Sequence, residues 1–288
     1  MDPNRGSGTI QPTVQGMTVN AGKGPPSPPG KILQREDRGS YSLLALPSHK
    51  LERAALSPRR AQLLTESELR ARVVGLIDTF DACVAQFDHS VPFTKVGQYE
   101  WHRLTLDRRR LLGTPEAAAR DDTFTTLLYH TLQAWGIGQR SSIIISLEDF
   151  RSSLNDHTPE LAKLGSLSLE HLQGANIATE AAILDRLIND LRVVENRARI
   201  VAGTKTLHHL LPDLVPPMDR AWTGTFFGWS TLDPQNHQRE LLEQALASLA
   251  EVARAKHPSR LVGEGWKTSP TKVLDNAVIG YCQLQGIG

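Results

Sequence analysis

From Thr65 onward the chain is punctuated by helix starts, and that punctuation restricts the fold more than anything else in it. Thr65-Glu66-Ser67-Glu68 reads as a capping box, in which the Thr65 hydroxyl accepts from the Glu68 N–H while the Glu68 carboxylate reaches back. Four further starts place a capping side chain directly before proline: Thr114-Pro115, Thr158-Pro159, Asp233-Pro234 and Ser269-Pro270. Proline suits the first helical turn, where its missing N–H has no intrahelical partner to lose. Apolar residues then recur at three-and-four spacing, which stacks them on one helical face. One such stripe is Leu69, Val73, Leu76, Ile77, Phe80 and Val84, and a second is Phe124, Leu127, Leu128, Leu132 and Trp135, stopped by Gly136. Leu184, Leu187, Ile188, Leu191 and Val194 form a third, and Leu242, Leu246, Leu249 and Val252 a fourth that closes near His257-Pro258.

Strand signals are thin. Ile143-Ile144-Ile145 is the one β-branched cluster, and a single strand cannot make a sheet. No fixed-period repeat points to a solenoid. The expectation is an all-α fold: one globular domain over residues 63–288, with about eight to ten short helices joined by short connections.

The segment before it has another character. Residues 1–30 contain six Gly and six Pro and almost no large apolar side chain, too little to offset the entropy of ordering. Residues 1–62 are therefore expected to be a disordered or loosely docked leader. They carry nine Lys/Arg against four Asp/Glu, whereas the remainder carries 23 against 27, so the formal charge of +1 sums a basic leader and a mildly acidic body. A body of that charge does not announce nucleic acid, and only local clustering of Arg and Lys could supply a phosphate-binding face.

Several chemistries lack their signatures. Two cysteines, Cys83 and Cys282, are too few for a disulfide framework or a cysteine zinc site and fit a reducing cytosol. His208-His209 are adjacent, so on a helix they point about 100° apart and cannot clamp one ion. No His-x-x-x-His or Cys-x-x-Cys spacing occurs, and no metal or cofactor is expected. Gly263-Glu264-Gly265 lacks the third glycine and the preceding strand of a dinucleotide loop, and Gly-x-Ser-x-Gly is absent. No apolar run approaches the roughly 20 residues of a membrane span, and no apolar core follows Met1 as in a secretory signal. The expected location is the cytoplasm.

The stretch from Arg197 to Trp229 carries most of the functional information. A helix is expected to end near Asn196, a glycine turn to pass Gly203, and a second helix to carry Leu207, Leu210 and Leu211. Pro212, Pro216 and Pro217 lead to Asp219 at the expected first turn of another helix, where the positive end of the helix dipole favours a carboxylate. Backbone N–H groups at such a turn could hold a phosphate.

Gly203-Thr204-Lys205-Thr206-Leu207 and Pro216-Pro217-Met218-Asp219 resemble the helix-hairpin-helix–Gly-Pro-Asp superfamily of base-excision DNA glycosylases. The family's hairpin usually reads Leu-Pro-Gly-Val-Gly, where this chain has Ile200-Val201-Ala202-Gly203. The resemblance implies an all-α fold, DNA as partner, Asp219 as the catalytic aspartate and Lys205 at the position of the Schiff-base lysine of bifunctional members. Gly203, Thr204, Arg197, Arg199 and Arg220 would then contact the nucleic acid. No cysteine cluster follows, so no iron–sulfur loop is implied. A second resemblance, to a family of prokaryotic proteins without an assigned activity, rests on three segments. They are Leu132-Gln133-Ala134-Trp135-Gly136, Pro216-Pro217-Met218-Asp219-Arg220, and Trp266-Lys267-Thr268-Ser269 with Lys272, Asp275, Asn276 and Ala277. It implies one coherent domain and no activity.

Plainer roles stand beside each of these. Asp219 equally reads as a helix cap or as a partner of Arg199 or Arg220, and Lys205 as a solvated helix residue. Arg108-Arg109-Arg110 reads as a solvated helix face, and the Trp and Phe side chains as core. Trp266, Ser269, Lys272, Asp275 and Asn276 either line a cleft near Asp219 or close the final helix's N-terminus. The alternative function is a non-enzymatic interaction or regulatory module that binds a protein partner through residues 1–62.

Overall fold

The computed structural model describes residues 64–139, 142–196, 199–229 and 236–287. The chain divides into Met1–Ala55 and Leu56–Gly288, and the described residues all belong to the second unit. The leader over residues 1–62 and the cap expected at Asp233-Pro234 lie outside the described residues.

The described part is all-α. Twelve α-helices run α1 Glu66–Asp78, α2 Phe80–His89, α3 Gln98–Leu112, α4 Pro115–Arg120, α5 Asp122–Ala134, α6 Leu147–Asp156, α7 Thr158–Leu164, α8 Gly174–Leu191, α9 Ile200–Leu210, α10 Thr223–Phe227, α11 Gln238–Lys256 and α12 Pro270–Leu284. Short 3₁₀ turns at Leu169–His171 and Pro258–Leu261 complete them, so the helices outnumber the eight to ten expected. Ile143-Ile144-Ile145 makes one antiparallel bridge, Ile144 to Val194, and no sheet is formed among the described residues. None of the described helices is long and apolar enough to cross a membrane.

The caps largely follow the sequence. Glu68 N–H donates to Thr65 Oγ1 at 3.3 Å and Thr65 N–H to Glu68 Oε2 at 2.8 Å, completing the capping box. Thr114 accepts from Ala117 N–H and Ser269 from Lys272 N–H, each directly before its proline. Thr158 differs: it is the first residue of α7 and buried, and its hydroxyl donates back to Asn155 O. The first apolar stripe is cut at Thr79, whose hydroxyl and N–H both return to Gly75 O, so α1 and α2 are separate helices. α8 stops at Leu191 rather than near Asn196, because Arg192 turns into the left-handed region at φ 46°.

α12 lies at the centre. Every residue from Thr271 to Cys282 is buried, and α1, α2, α10 and α11 pack around it. Such a helix reads as nearly continuous apolar surface, with Val273, Leu274, Ala277, Val278 and Ile279, yet it also buries Lys272, Asp275 and Asn276. Those polar groups need partners, and the partners define the site below. α9 is similarly enclosed by α3, α5 and α8. Gly203 sits inside α9 rather than in a hairpin turn, and a Cβ there would lie 2.5 Å from Ile188 Cγ2 on α8. Its lack of a side chain serves helix–helix approach. Gly280 does the same for α12 against α2, where a Cβ would lie 1.9 Å from the Cys83 carbonyl oxygen.

Backbone cannot yield as a side chain can, so Gly280→Ala is expected to destabilise the protein by roughly 3 kcal/mol or more. Gly263→Ala, whose Cβ would meet nothing closer than 4.0 Å, is the matched control. Thermal unfolding of the two variants checks this; equal melting temperatures would refute the close crossing.

Candidate active-site cleft

Lys205 and Asp219 reach one cleft from different elements. Lys205 projects from the middle of α9, where Ala202 and Val201 one turn earlier line the same wall. Asp219 ends the extended segment that follows Pro216 and Pro217, four residues before α10 rather than in its first turn. Its Oδ1 accepts from Trp222 N–H at 2.7 Å, and its own N–H donates to Thr223 Oγ1 at 3.2 Å. The carboxylate is therefore fixed by backbone, and it makes no ion pair with Arg199 or Arg220 among the described residues. Trp135, just beyond the end of α5, forms the third wall, and Asn196, Gln139 and Ser142 add polar groups to a cleft of about 300 Å³.

A narrower slot of about 40 Å³ shares Trp135, Lys205 and Asp219 with that cleft and is closed by Phe93, Gln98, Pro217, Lys272 and Asp275. Lys205 is half-buried at the junction, its Nζ 5.6 Å from the Trp135 ring centroid and 3.4 Å from the Trp135 carbonyl oxygen. Burial pushes its amine below the usual lysine range, opposed by the charges of Asp219 and Asp275 and assisted by those of Lys272 and Lys95. Burial likewise raises the Asp275 carboxyl, an effect the neighbouring Lys272 partly offsets.

The other expected residues sort into three groups. Lys272 and Asp275 join the slot. Trp266, Ser269 and Asn276 support it from behind: Ser269 caps α12, and Asn276 Nδ2 donates to Trp266 O at 3.0 Å. Gly203 and Thr204 are removed from any nucleic-acid surface, because both are buried; Thr204 Oγ1 donates to Ile200 O and accepts from Met218 N–H. Arg199 is tied to α8 through Asn189 O at 3.0 Å, Arg220 is exposed on the cleft rim, and Arg197 lies outside the described residues. The arginine run is a solvated face only in part: Arg110 is exposed and Arg108 half-buried, Arg109 is buried, and all three have protein partners. Arg108 pairs with Asp121, buried Arg109 donates to Leu210 O at 2.8 Å, and Arg110 donates to Thr268 O at 2.9 Å.

A chain of buried histidines, not anticipated from the sequence, backs the cleft. His209 Nδ1 lies 2.8 Å from Lys205 O, a carbonyl that only accepts, so Nδ1 carries the proton. Its Nε2 must then accept from His102 Nδ1–H at 2.9 Å, and His102 Nε2 accepts from the Thr268 hydroxyl at 2.7 Å. His208 points the other way, as adjacency requires. Its Nδ1–H faces Val215 O and Thr271 Oγ1, and its buried Nε2 has no partner among the described residues. A proton on that nitrogen would be left without an acceptor. Burial lowers all three rings, His209 from 6.5 to about 4. The one sequence signal was a pair of adjacent histidines near the end of a helix that is largely buried. No group of His, Cys, Asp and Glu among the described residues is arranged to hold a metal ion.

Searches of protein-family models, curated proteins and solved structures return no match to this chain.

The histidines set an acid limit to stability. Their native affinities for protons lie below those of the unfolded chain, so their contribution is complete above pH 6.5 and is lost as pH falls, for His209 toward about 4. Each ring contributes a slope of about 1.4 kcal/mol per pH unit inside that window. The raised Asp275 carboxyl acts in the opposite sense and is common to the variants compared. Urea titrations of His209→Leu are expected to show a shallower loss of stability between pH 6.5 and 4.5 than the parent. An unchanged slope would mean that the rings are protonated in the native state.

Proposed function

We propose that the cleft is the active centre of a DNA-binding, base-excision glycosylase-like protein of the cytoplasm. The observation that carries this reading is that Lys205 and Asp219, far from one another on the helix and segment that bear them, face a single cleft beside the Trp135 ring. A volume of about 300 Å³ suits one extruded nucleoside, and an aromatic wall offers a stacking surface for its base. In this reading the bond between base and C1′ breaks with its electron pair leaving on the base. The fixed Asp219 carboxylate faces the positive charge that develops on the sugar. The Lys205 lone pair closes on C1′ and one amine proton passes to the departing base; C1′–O4′ then breaks with its electron pair on O4′, which collects the second amine proton, leaving the C=N bond that borohydride reduces. Arg220 on the rim supplies a phosphate contact.

A second reading, a non-enzymatic interaction or regulatory module that captures a protein partner through residues 1–62, is favoured by one specific observation. The groups that would clamp a DNA backbone in a hairpin, Gly203 and Thr204, are in the core, and Arg199 is spent on α8.

A panel of duplex and single-stranded oligonucleotides bearing damaged bases, incubated with borohydride, separates the two. The expected result is base release with a covalent adduct on Lys205, lost in Lys205→Gln and reduced at least about 100-fold in Asp219→Asn. No base release, no adduct, and oligonucleotide binding indifferent to Asp219→Asn would remove the glycosylase reading. Partner capture abolished by deleting residues 1–62 would then favour the second.

A further inference from the structure

The slot contains a second lysine–aspartate pair that the chemistry above leaves unused. Lys272 Nζ donates to Asp275 Oδ2 at 2.6 Å and to Asn276 Oδ1 at 2.5 Å. It also lies 5.0 Å from the Phe93 ring centroid, 5.1 Å from that of Phe87 and 5.2 Å from that of Trp266. Three ring faces attract a cation, and a carboxylate and an amide oxygen accept its hydrogen bonds, so an ammonium on a side chain only 1% exposed is met on every side. Lys205 shares the slot under opposite conditions. Among the described residues its amine makes one hydrogen bond, the long contact to Trp135 O, and no ion pair. Two ammonium groups in one desolvated slot repel, and Lys205 is the one without fixed partners.

We propose that Lys272, held in place by Asp275, is the positioning residue that makes Lys205 the nucleophilic amine of the cleft. This rests on Lys205 as the attacking group but not on the identity of the substrate. The charged and titratable groups around Lys205 come from four elements: Lys272 and Asp275 on α12, Asp219 before α10, Lys95 before α3, and His209 on α9 itself. The two aspartates favour the ammonium form, whereas Lys272 and Lys95 oppose it.

Reductive methylation of the full-length protein with formaldehyde and cyanoborohydride, read site by site by mass spectrometry across a pH series, tests the proposal. Uncharged Nζ adds to the formaldehyde carbon and the C–O π pair moves to oxygen, which collects the nitrogen's proton. Water then leaves as the imine forms, and cyanoborohydride delivers hydride to its carbon. In the parent, the midpoint for Lys205 should fall below that of exposed Lys163. Lys272→Met removes a cation and frees the charge of Asp275, so the midpoint should rise. Asp275→Asn removes an anion, so it should fall, each by about half a pH unit or more. Lys272→Arg keeps the charge and should restore the parent value. A purely structural role predicts that both disruptive variants admit water and move the same way, upward. If Lys272→Met does not fold, Asp275→Asn decides: a fall supports the proposal, and no change or a rise overturns it. Opposite shifts with an inert oligonucleotide panel would remove the glycosylase reading and leave the pair's role standing. A trapped oligonucleotide with unmoved midpoints would do the reverse.

Discussion

A charged amine in the first turn of a helix that is buried on every side is the constraint around which one end of this molecule is built. Transferring an ammonium from water to protein interior costs several kcal/mol unless its protons and its field are met. Lys272 is met by Asp275 and Asn276 one turn along its own helix, and by Phe87, Phe93 and Trp266 from three other parts of the chain. Those three rings reach the ammonium from α2, from the connection between α2 and α3, and from the loop before α12. The requirement of one side chain therefore fixes how three backbone segments converge, and their convergence closes the slot beneath the cleft.

A fixed positive charge also organises the titration of its neighbours. Trp266, which caps the Lys272 cage, stacks on His102 at 5.5 Å between ring centroids, and His102 leads through His209 to the backbone of Lys205. Lys272 disfavours protonation of all three histidines and of Lys205, in the same direction as their burial. Neutral imidazoles can then pass hydrogen bonds along a single sense, from Thr268 through His102 and His209 to the Lys205 carbonyl. The back wall of the cleft is thus uncharged and directionally hydrogen-bonded, and its ionic groups face forward.

Local rules recovered the helices well and the site in part. Capping boxes and cap–proline pairs are short-range devices, so Thr65, Thr114 and Ser269 act as their neighbours in sequence dictate. Thr158 failed because α7 begins at Thr158 itself, whose hydroxyl donates to Asn155 O and accepts from Arg120, and the first apolar stripe hid a break because Phe80 and Val84 bury on the same side after the turn at Thr79. Lys205 and Asp219 were recognisable through local motifs, and the cleft does bring them together. The pairing of Lys272 with Asp275 was within reach of i, i+3 spacing. The role of Gly203 was misjudged because glycine permits a turn and permits close packing equally, and only the position of Ile188 distinguishes them. The histidine chain joins residues 102, 209 and 268, and no periodicity links segments so far apart.

Gly203 has a mechanical consequence. α9 carries Lys205 and His209 toward the cleft, and on its other side it rests on α8 through a position with no side chain. The depth at which the amine stands is gauged from behind, by the contact between a bare backbone and Ile188. Bulk added there works as a shim, moving the whole helix forward into the cleft without altering any group that lines it. Evolution, or an engineer, can therefore tune the width of this cavity from a residue that no ligand touches.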